Sequence, residues 1–295
     1  MLALGIDVGG TKTAIGIIDT ANGQIVERLV LPTPQPKAKS AFLADIVAAA
    51  EKLDLEHSLP IGVGLCELVT NQSQIASAWR VEWSAAEVKH AFAKWPVLTL
   101  EADVRAAAIA EAHFGAGRGI SNWIYANAGT GIATVLMHGG TPHRGANGLG
   151  MAWGMSPANL NPAGVTRIDN LPTSIEAICG GAGLLESAVT LGLDVPDIAA
   201  LAGTSDNRAI NLLSHAGQTL GRGLGTLANM LDPEAIILGG GVALASKTYC
   251  DGCKDGLRHA IWPQGRQLPN VMVAELRSHA GLIGAAFIAA RSVKP

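Results

Sequence analysis

Two carboxylates in this chain stand where chemistry can be done. Asp7 leads into Gly9, Gly10, Thr11 and Lys12, a turn between two β-rich runs. Backbone N–H groups of a glycine-rich turn hold phosphate oxygens. A carboxylate beside them suits hydrated Mg²⁺, which takes one or two carboxylates together with phosphate oxygens. The same residues also fit a plain hairpin turn. They do not form a P-loop, because Thr11 separates Gly10 from Lys12 and the segment enters a second strand instead of a helix. Asp103 is the second carboxylate. It falls between a strand expected over residues 97–100 and a small-residue helix over 104–114. An aspartate there either caps the helix or meets a ligand at the carboxyl end of a strand.

The elements that position these groups follow a mixed pattern. Strands are expected over 3–8, 13–19 and 24–31, a helix over 40–53, a strand over 60–65 and a helix over 85–93. The strand–turn–strand unit then returns: residues 123–127, the turn Gly129-Thr130-Gly131, and residues 132–137. The rest is mainly helical (173–188, 195–202, 207–230, 280–291), with strands at 235–238 and 271–275 and a Gly239-Gly240-Gly241 run. Strands interleaved with helices indicate an α/β protein. The repeat implies two similar lobes, which facing each other would bring both turns to one cleft. The small lobe is expected over 1–112 with the C-terminal helix of about 281–295, the large lobe over 113–280, and the hinge within a helix near 104–118.

Composition narrows the class. The 295 residues are 48% hydrophobic and only 15% charged, enough for a large core, and the net charge of −3 argues against nucleic acid. No apolar run reaches the length of a membrane span, and the start lacks a basic leader. Four cysteines (Cys66, Cys179, Cys250, Cys253) fit a reducing, cytoplasmic setting. Cys250 and Cys253 are read as incidental surface thiols, since a lone C-x-x-C is a weak metal signal.

Taken in order, Asp7-Val8-Gly9-Gly10-Thr11-Lys12, Glu101-Ala102-Asp103, Gly129-Thr130-Gly131, His143-Arg144-Gly145-Ala146-Asn147-Gly148 and Gly239-Gly240-Gly241 resemble the ROK family over nearly the whole chain. That family contains sugar kinases, repressors and open reading frames on the actin and hexokinase-like (ribonuclease H-like) fold. The resemblance implies ATP and Mg²⁺ as cofactors. It implies that Asp7 and Gly9, Gly10, Thr11 and Lys12 hold phosphate and Mg²⁺, that Gly129, Thr130 and Gly131 form a second phosphate loop, and that Gly239, Gly240 and Gly241 cover the adenosine. Asp103 matches the catalytic base. Glu176 matches a sugar-contacting Glu, and it also reads as an exposed charge near a helix start. Gly64, Ala146, Asn147 and Gly148 belong to the implied acceptor site. A homodimer or larger homo-oligomer is implied, and Ala/Gly-rich helices such as residues 220–231 would suit an interface.

The chain also departs from the pattern. Ala102, Ala152 and Met155 stand where family kinases place the Asn, Glu and His that bond sugar hydroxyls. The zinc segment that should precede Glu176 is replaced by residues 159–173, which contain Pro162 and Pro172 and no cysteine, so no zinc is expected. Losing buried donors and acceptors lowers affinity for the usual hexose. The expected activity is therefore ATP-dependent phosphorylation of an atypical sugar or polyol. The alternatives are a degenerate sugar- or nucleotide-binding module and, more distantly, a partner-driving ATPase with an Fe–S cluster at Cys250 and Cys253. Glu67 and Arg80 are expected to face the acceptor, with Trp79 or Trp83 stacking on its ring; the plainer reading is surface charge and core aromatics.

Overall fold

The computed structural model describes residues 1–35, 37–158, 174–262 and 267–293. Its elements are β1 (Leu2–Val8), β2 (Lys12–Asp19), β3 (Gln24–Pro32), α1 (Ser40–Leu53), β4 (Ile61–Leu65), α2 (Ala85–Ala91), β5 (Leu98–Ala102), α3 (Asp103–Phe114), β6 (Asn122–Ala128), β7 (Ile132–His138), β8 (Thr141–Pro142), α4 (Ile175–Cys179), α5 (Gly181–Thr190), α6 (Ile198–Gly203), α7 (Asn207–Leu231), β9 (Ala235–Gly239), α8 (Gly240–Ala245), α9 (Lys247–Ala260), β10 (Asn270–Val273) and α10 (Ala280–Ser292). The chain divides into two compact units: Met1–Gly119 with Gly140–Gly150 and Ser278–Pro295, and Ile120–Gly139 with Met151–Arg277. Among the described residues no helix is long and apolar enough to cross a membrane.

The first unit is built on a sheet ordered β3-β2-β1-β4-β5. β1 pairs antiparallel with β2 and parallel with β4, and β4 is parallel to β5. Central β1 and β4 are buried on nearly every residue, as strands covered on both faces must be, while edge strand β3 is largely exposed. α1 turns Phe42, Leu43, Ile46, Ala49 and Ala50 inward at helical spacing. A reciprocal Ser84–Glu87 capping box starts α2. α10 lies so close to the sheet that a methyl group on Gly5 or Gly62 would strike the carbonyl oxygens of Leu282 and Ala285.

The sheet of the second unit is ordered β10-β9-β6-β7-β8. β6 pairs antiparallel with β7 and parallel with β9. This is the arrangement of β1 with β2 and β4, and the register makes it exact enough to pair residues: Asp7 is opposite Gly64, and Asn127 is opposite Gly239. Asn127 is thus the uncharged counterpart of Asp7, a correspondence that the sequence alone did not reveal.

Three expectations are corrected here, and one helix is found that the sequence reading did not include. The helix expected over 173–188 is two helices, broken at Gly180, which is extended (φ −79°, ψ 157°). Residues 247–260 form α9, whose charged, glycine-spaced sequence hid its helical period. Cys250 and Cys253 lie on α9 and are buried, so they are not surface thiols. The glycines of α7 fill a contact inside the chain: methyl groups at Gly217 and Gly221 would strike the carbonyls of Tyr249 and Cys253 on α9. Gly217, Gly221 and Gly225 are all buried, and a methyl on Gly225 would meet Ala260 of α9.

Candidate active site

The register of the first sheet sets Asp7, Gly64 and Glu101 side by side, with Val8, Leu65 and Ala102 in the next row. All lie at the carboxyl ends of parallel strands, where open α/β sheets place ligand-contacting groups. Gly64 keeps this row open; a Cβ there would lie 3.6 Å from the Asp103 Cα. Asp103 is the first residue of α3, directly after Ala102 at the cap position. Its Oδ1 accepts from the Val104 N–H at 2.6 Å.

Burial pushes the Asp103 carboxyl up to about 7, and the neighbouring charge of Asp7 pushes the same way; the Val104 N–H opposes them, Glu67 adds to the rise and Arg105 opposes it. Asp7 is raised to about 6, by burial. The close cover over Asp7 comes from α10, where a Cβ on Gly281 would lie 2.6 Å from its Oδ2. Burial, with the charges of Asp103, Glu67 and Asp7, also pushes the Cys66 thiol far up.

These two raised carboxyls give a pH prediction. Both bind protons more tightly folded than unfolded, where an aspartate titrates near 3.9. Their contribution to stability is full at low pH and is lost as pH rises through about 6 and 7. Between roughly pH 4.5 and 7.5, the Tm of the metal-free protein should fall with rising pH, and the double variant Asp7→Asn, Asp103→Asn should flatten that slope in a differential scanning experiment.

In the Gly9–Lys12 turn the Gly9 N–H closes on the Lys12 carbonyl at 3.0 Å, and the Thr11 carbonyl accepts from the Thr33 N–H at 3.0 Å. The Gly10 carbonyl accepts from Gln35 Nε2. With the carbonyls committed, the N–H groups of Gly10 and Thr11 have no protein acceptor among the described residues. The turn of the second unit is tied alike: the Gly129 N–H closes on the Gly131 carbonyl at 3.0 Å, and the Gly129 and Thr130 carbonyls accept from Gly181 and Ala182 at the start of α5. The N–H groups of Thr130 and Gly131 are left in the same way. Two turns with anchored carbonyls and open amides are suited to anionic oxygens. Gly240 lies against the second turn at φ +85°, and a Cβ on it would fall 2.7 Å from the Gly129 nitrogen, so only glycine fits.

Several expected contacts take other partners. Glu67 is buried, and its carboxylate accepts from the N–H groups of Trp79 (3.0 Å), Arg80 (2.5 Å) and Val81 (2.9 Å) and from the Ser77 hydroxyl. Its oxygens are used in holding residues 77–81 of the segment after β4. Arg80 Nη1 donates to Gln35 Oε1 at 3.1 Å, and Gln35 in turn holds Gly10. Glu67 and Arg80 thus brace the first turn. Trp83 is buried beside Phe42 and offers no stacking face, whereas Trp79 is exposed. Glu176 Oε2 accepts from the Ile132 N–H at 2.9 Å and packs on Gly131. The replaced positions divide: Ala102 is buried in the first unit, while Ala152 and Met155 are exposed around a turn of 3-10 helix in the second. The expected zinc-segment replacement, residues 159–173, lies outside the described residues.

Glu67→Ala should strip acceptors from three N–H groups at once. The Val81 N–H is buried and those of Trp79 and Arg80 are part-buried. Leaving one buried donor unpaired costs about 1–3 kcal/mol, so a net loss of about 2 kcal/mol is expected in urea unfolding.

Two five-stranded sheets of matching topology, each with a glycine–threonine turn after its first strand, define an α/β protein of the actin/hexokinase-like class. The family model of the ROK family matches residues 3–292, and the chain belongs to that family. It is 28% identical to a glucokinase of Halalkalibacterium halodurans, over 97% of this chain and 94% of the relative. It is also 28% identical to an N-acetylmannosamine kinase of Shigella boydii, over 98% of each. Among solved structures, a ROK family glucokinase from Streptomyces griseus in complex with glucose and AMPPNP superposes with a TM-score of 0.83 at 26% identity, covering 99% of this chain and 100% of that one.

Proposed function

We propose that the protein transfers the γ-phosphoryl group of ATP to a hydroxyl of a sugar or sugar-like molecule, with Asp103 as general base. The observation that carries this reading is the Asp103 carboxyl at the junction of β5 and α3, beside the charge of Asp7 and raised to about 7. A base that titrates near neutral pH serves proton transfer best. Its charged form is costly beside Asp7, so taking the acceptor's proton relieves that cost.

Asp7 and the open amides of Gly10 and Thr11 would take phosphate oxygens and Mg²⁺ in the first unit; those of Thr130 and Gly131 would take phosphate oxygens in the second. The residues fit Mg²⁺, because Asp7 and Asp103 are two carboxyls raised by burial with no Lys or Arg bonded to either among the described residues. Bound there, Mg²⁺ would neutralise phosphate charge. Gly239, Gly240 and Gly241 would border the adenosine, with Gly240 set against the second turn. Gly64, Ala146, Asn147 and Gly148 would border the acceptor. The two named relatives, a glucokinase and an N-acetylmannosamine kinase, support a sugar acceptor. Ala102, Ala152 and Met155 in place of polar groups favour one with fewer hydroxyls or a different outline. Four free cysteines among the described residues fit a cytoplasmic protein.

The test is ADP release from Mg·ATP across hexoses, amino sugars, deoxy sugars and cyclitols. Turnover on one of them that Asp103→Asn abolishes supports the reading. Tight ATP binding with no stimulation by any of them favours a binding module instead, the reading that the three replaced positions also support.

A further inference from the structure

The segment from Arg144 to Gly150 is held by residues that none of the expected roles includes. The Gly145 and Ala146 carbonyls accept from Asn71 Nδ2 at 3.2 and 3.0 Å. The Asn147 carbonyl accepts from the Asn71 N–H at 3.3 Å. The Gly148 carbonyl accepts from Arg105 Nη1 at 2.6 Å. Four successive carbonyls are therefore tied, three of them by one asparagine. The contact is close as well as bonded: Gly148 sits at φ +82°, and a Cβ on it would strike the Asn71 nitrogen and the Thr70 backbone. With this edge committed, the N–H groups of Ala146, Asn147 and Gly148 have no protein acceptor among the described residues.

Arg105 is placed at a cost. It lies in the first turn of α3, where the helix dipole disfavours a cation, and its side chain is 6% exposed. Glu101 offsets the charge by accepting from Arg105 Nε at 2.6 Å, and Arg105 Nη2 also donates to the Val69 carbonyl at 2.6 Å. A buried ion pair of this kind is a poor source of stability compared with apolar packing. What it supplies here is register. One guanidinium fixes the start of α3, two residues from Asp103, against residue 69 and residue 148 together. Arg144, which also pairs with Glu101, adds a second tie from the loop itself.

We propose that Asn71 and Arg105 are positioning residues that lock the 145–148 segment in register with Asp103, presenting its free amide edge to the acceptor hydroxyls. This deepens the acceptor site proposed above and rests on it. The test has one arm that needs no substrate. Trypsin cuts after Arg144 only if the segment lifts. Asn71→Ala and Arg105→Met should raise the rate of cleavage at Arg144–Gly145 about tenfold, with Arg105→Lys between them and the wild type. In the second arm, the same variants should raise the KM for the acceptor about tenfold while the Kd for ATP changes less than twofold. Unchanged cleavage at Arg144 in both Asn71→Ala and Arg105→Met would overturn the proposal, as would equal weakening of ATP and acceptor. If cleavage rises but the wild-type protein phosphorylates no sugar, the lock stands and the kinase reading falls.

Discussion

Asp103→Asn is expected to lower kcat by about 10²–10⁴-fold, the contribution of a positioned general base, and to leave ATP binding nearly unchanged. The substitution is close to isosteric, and an asparagine oxygen can still accept from the Val104 N–H that Asp103 Oδ1 holds at 2.6 Å. The fold therefore has little reason to move, and the loss reads on proton transfer. Removing the charge also ends the repulsion with Asp7 that helps raise the Asp103 carboxyl to about 7. Two further results should accompany the drop. The wild-type rate should rise through about pH 7 as Asp103 ionises, and the residual rate of the variant should lack that limb. Near-normal turnover in Asp103→Asn, measured as ADP release on the acceptor, would remove Asp103 from its role.

Gly62→Ala is expected to destabilise the first unit by about 3 kcal/mol or more, at or beyond the upper end for overpacking a core. The added methyl would run into the carbonyl of Ala285 on α10. A flexible side chain could yield, but this obstacle is helix backbone. α10 would have to lift away, and Gly5 and Gly284 hold it at equally close range, against Leu282 and Ala106 respectively. Gly203→Ala is the control. It closes α6, nothing lies within 4 Å of a Cβ there, and alanine favours helix. Urea unfolding should show a large loss for the first variant and little or no loss for the second. Equal midpoints would mean that α10 does not hold the sheet as closely as its glycines indicate.

The parts of the fold legible in the sequence were those with a local signature. Strands on either side of Gly9-Gly10-Thr11 and Gly129-Thr130-Gly131 announced themselves by apolar runs broken by glycine, and both turns have that form. The boundary that places Asp103 was legible because a β-rich run meets an alanine-rich one there. What escaped depends on partners far along the chain. Glu67 read as a ligand to substrate because nothing local shows that residues 77–81 return to cover it. Asn71 and Arg105 carried no motif, and their roles exist only because residues 145–148 fold back over them. α9 was missed because Gly252 and Gly256, poor helix formers alone, are there to let α7 approach.

The cover of Asp7 by Gly281 has a consequence for the order of assembly. β1 is near the start of the chain and α10 near its end, yet the first sheet cannot close its core until α10 lies on Gly5 and Gly62. On the ribosome the second unit, whose strands and helices precede α10, can collapse while the first is still unfinished. β1, β4 and β5 then wait with an apolar face uncovered, in need of protection from aggregation until α10 has been made. A pairing between elements so distant in sequence also slows folding, so the candidate catalytic unit should mature after the second unit.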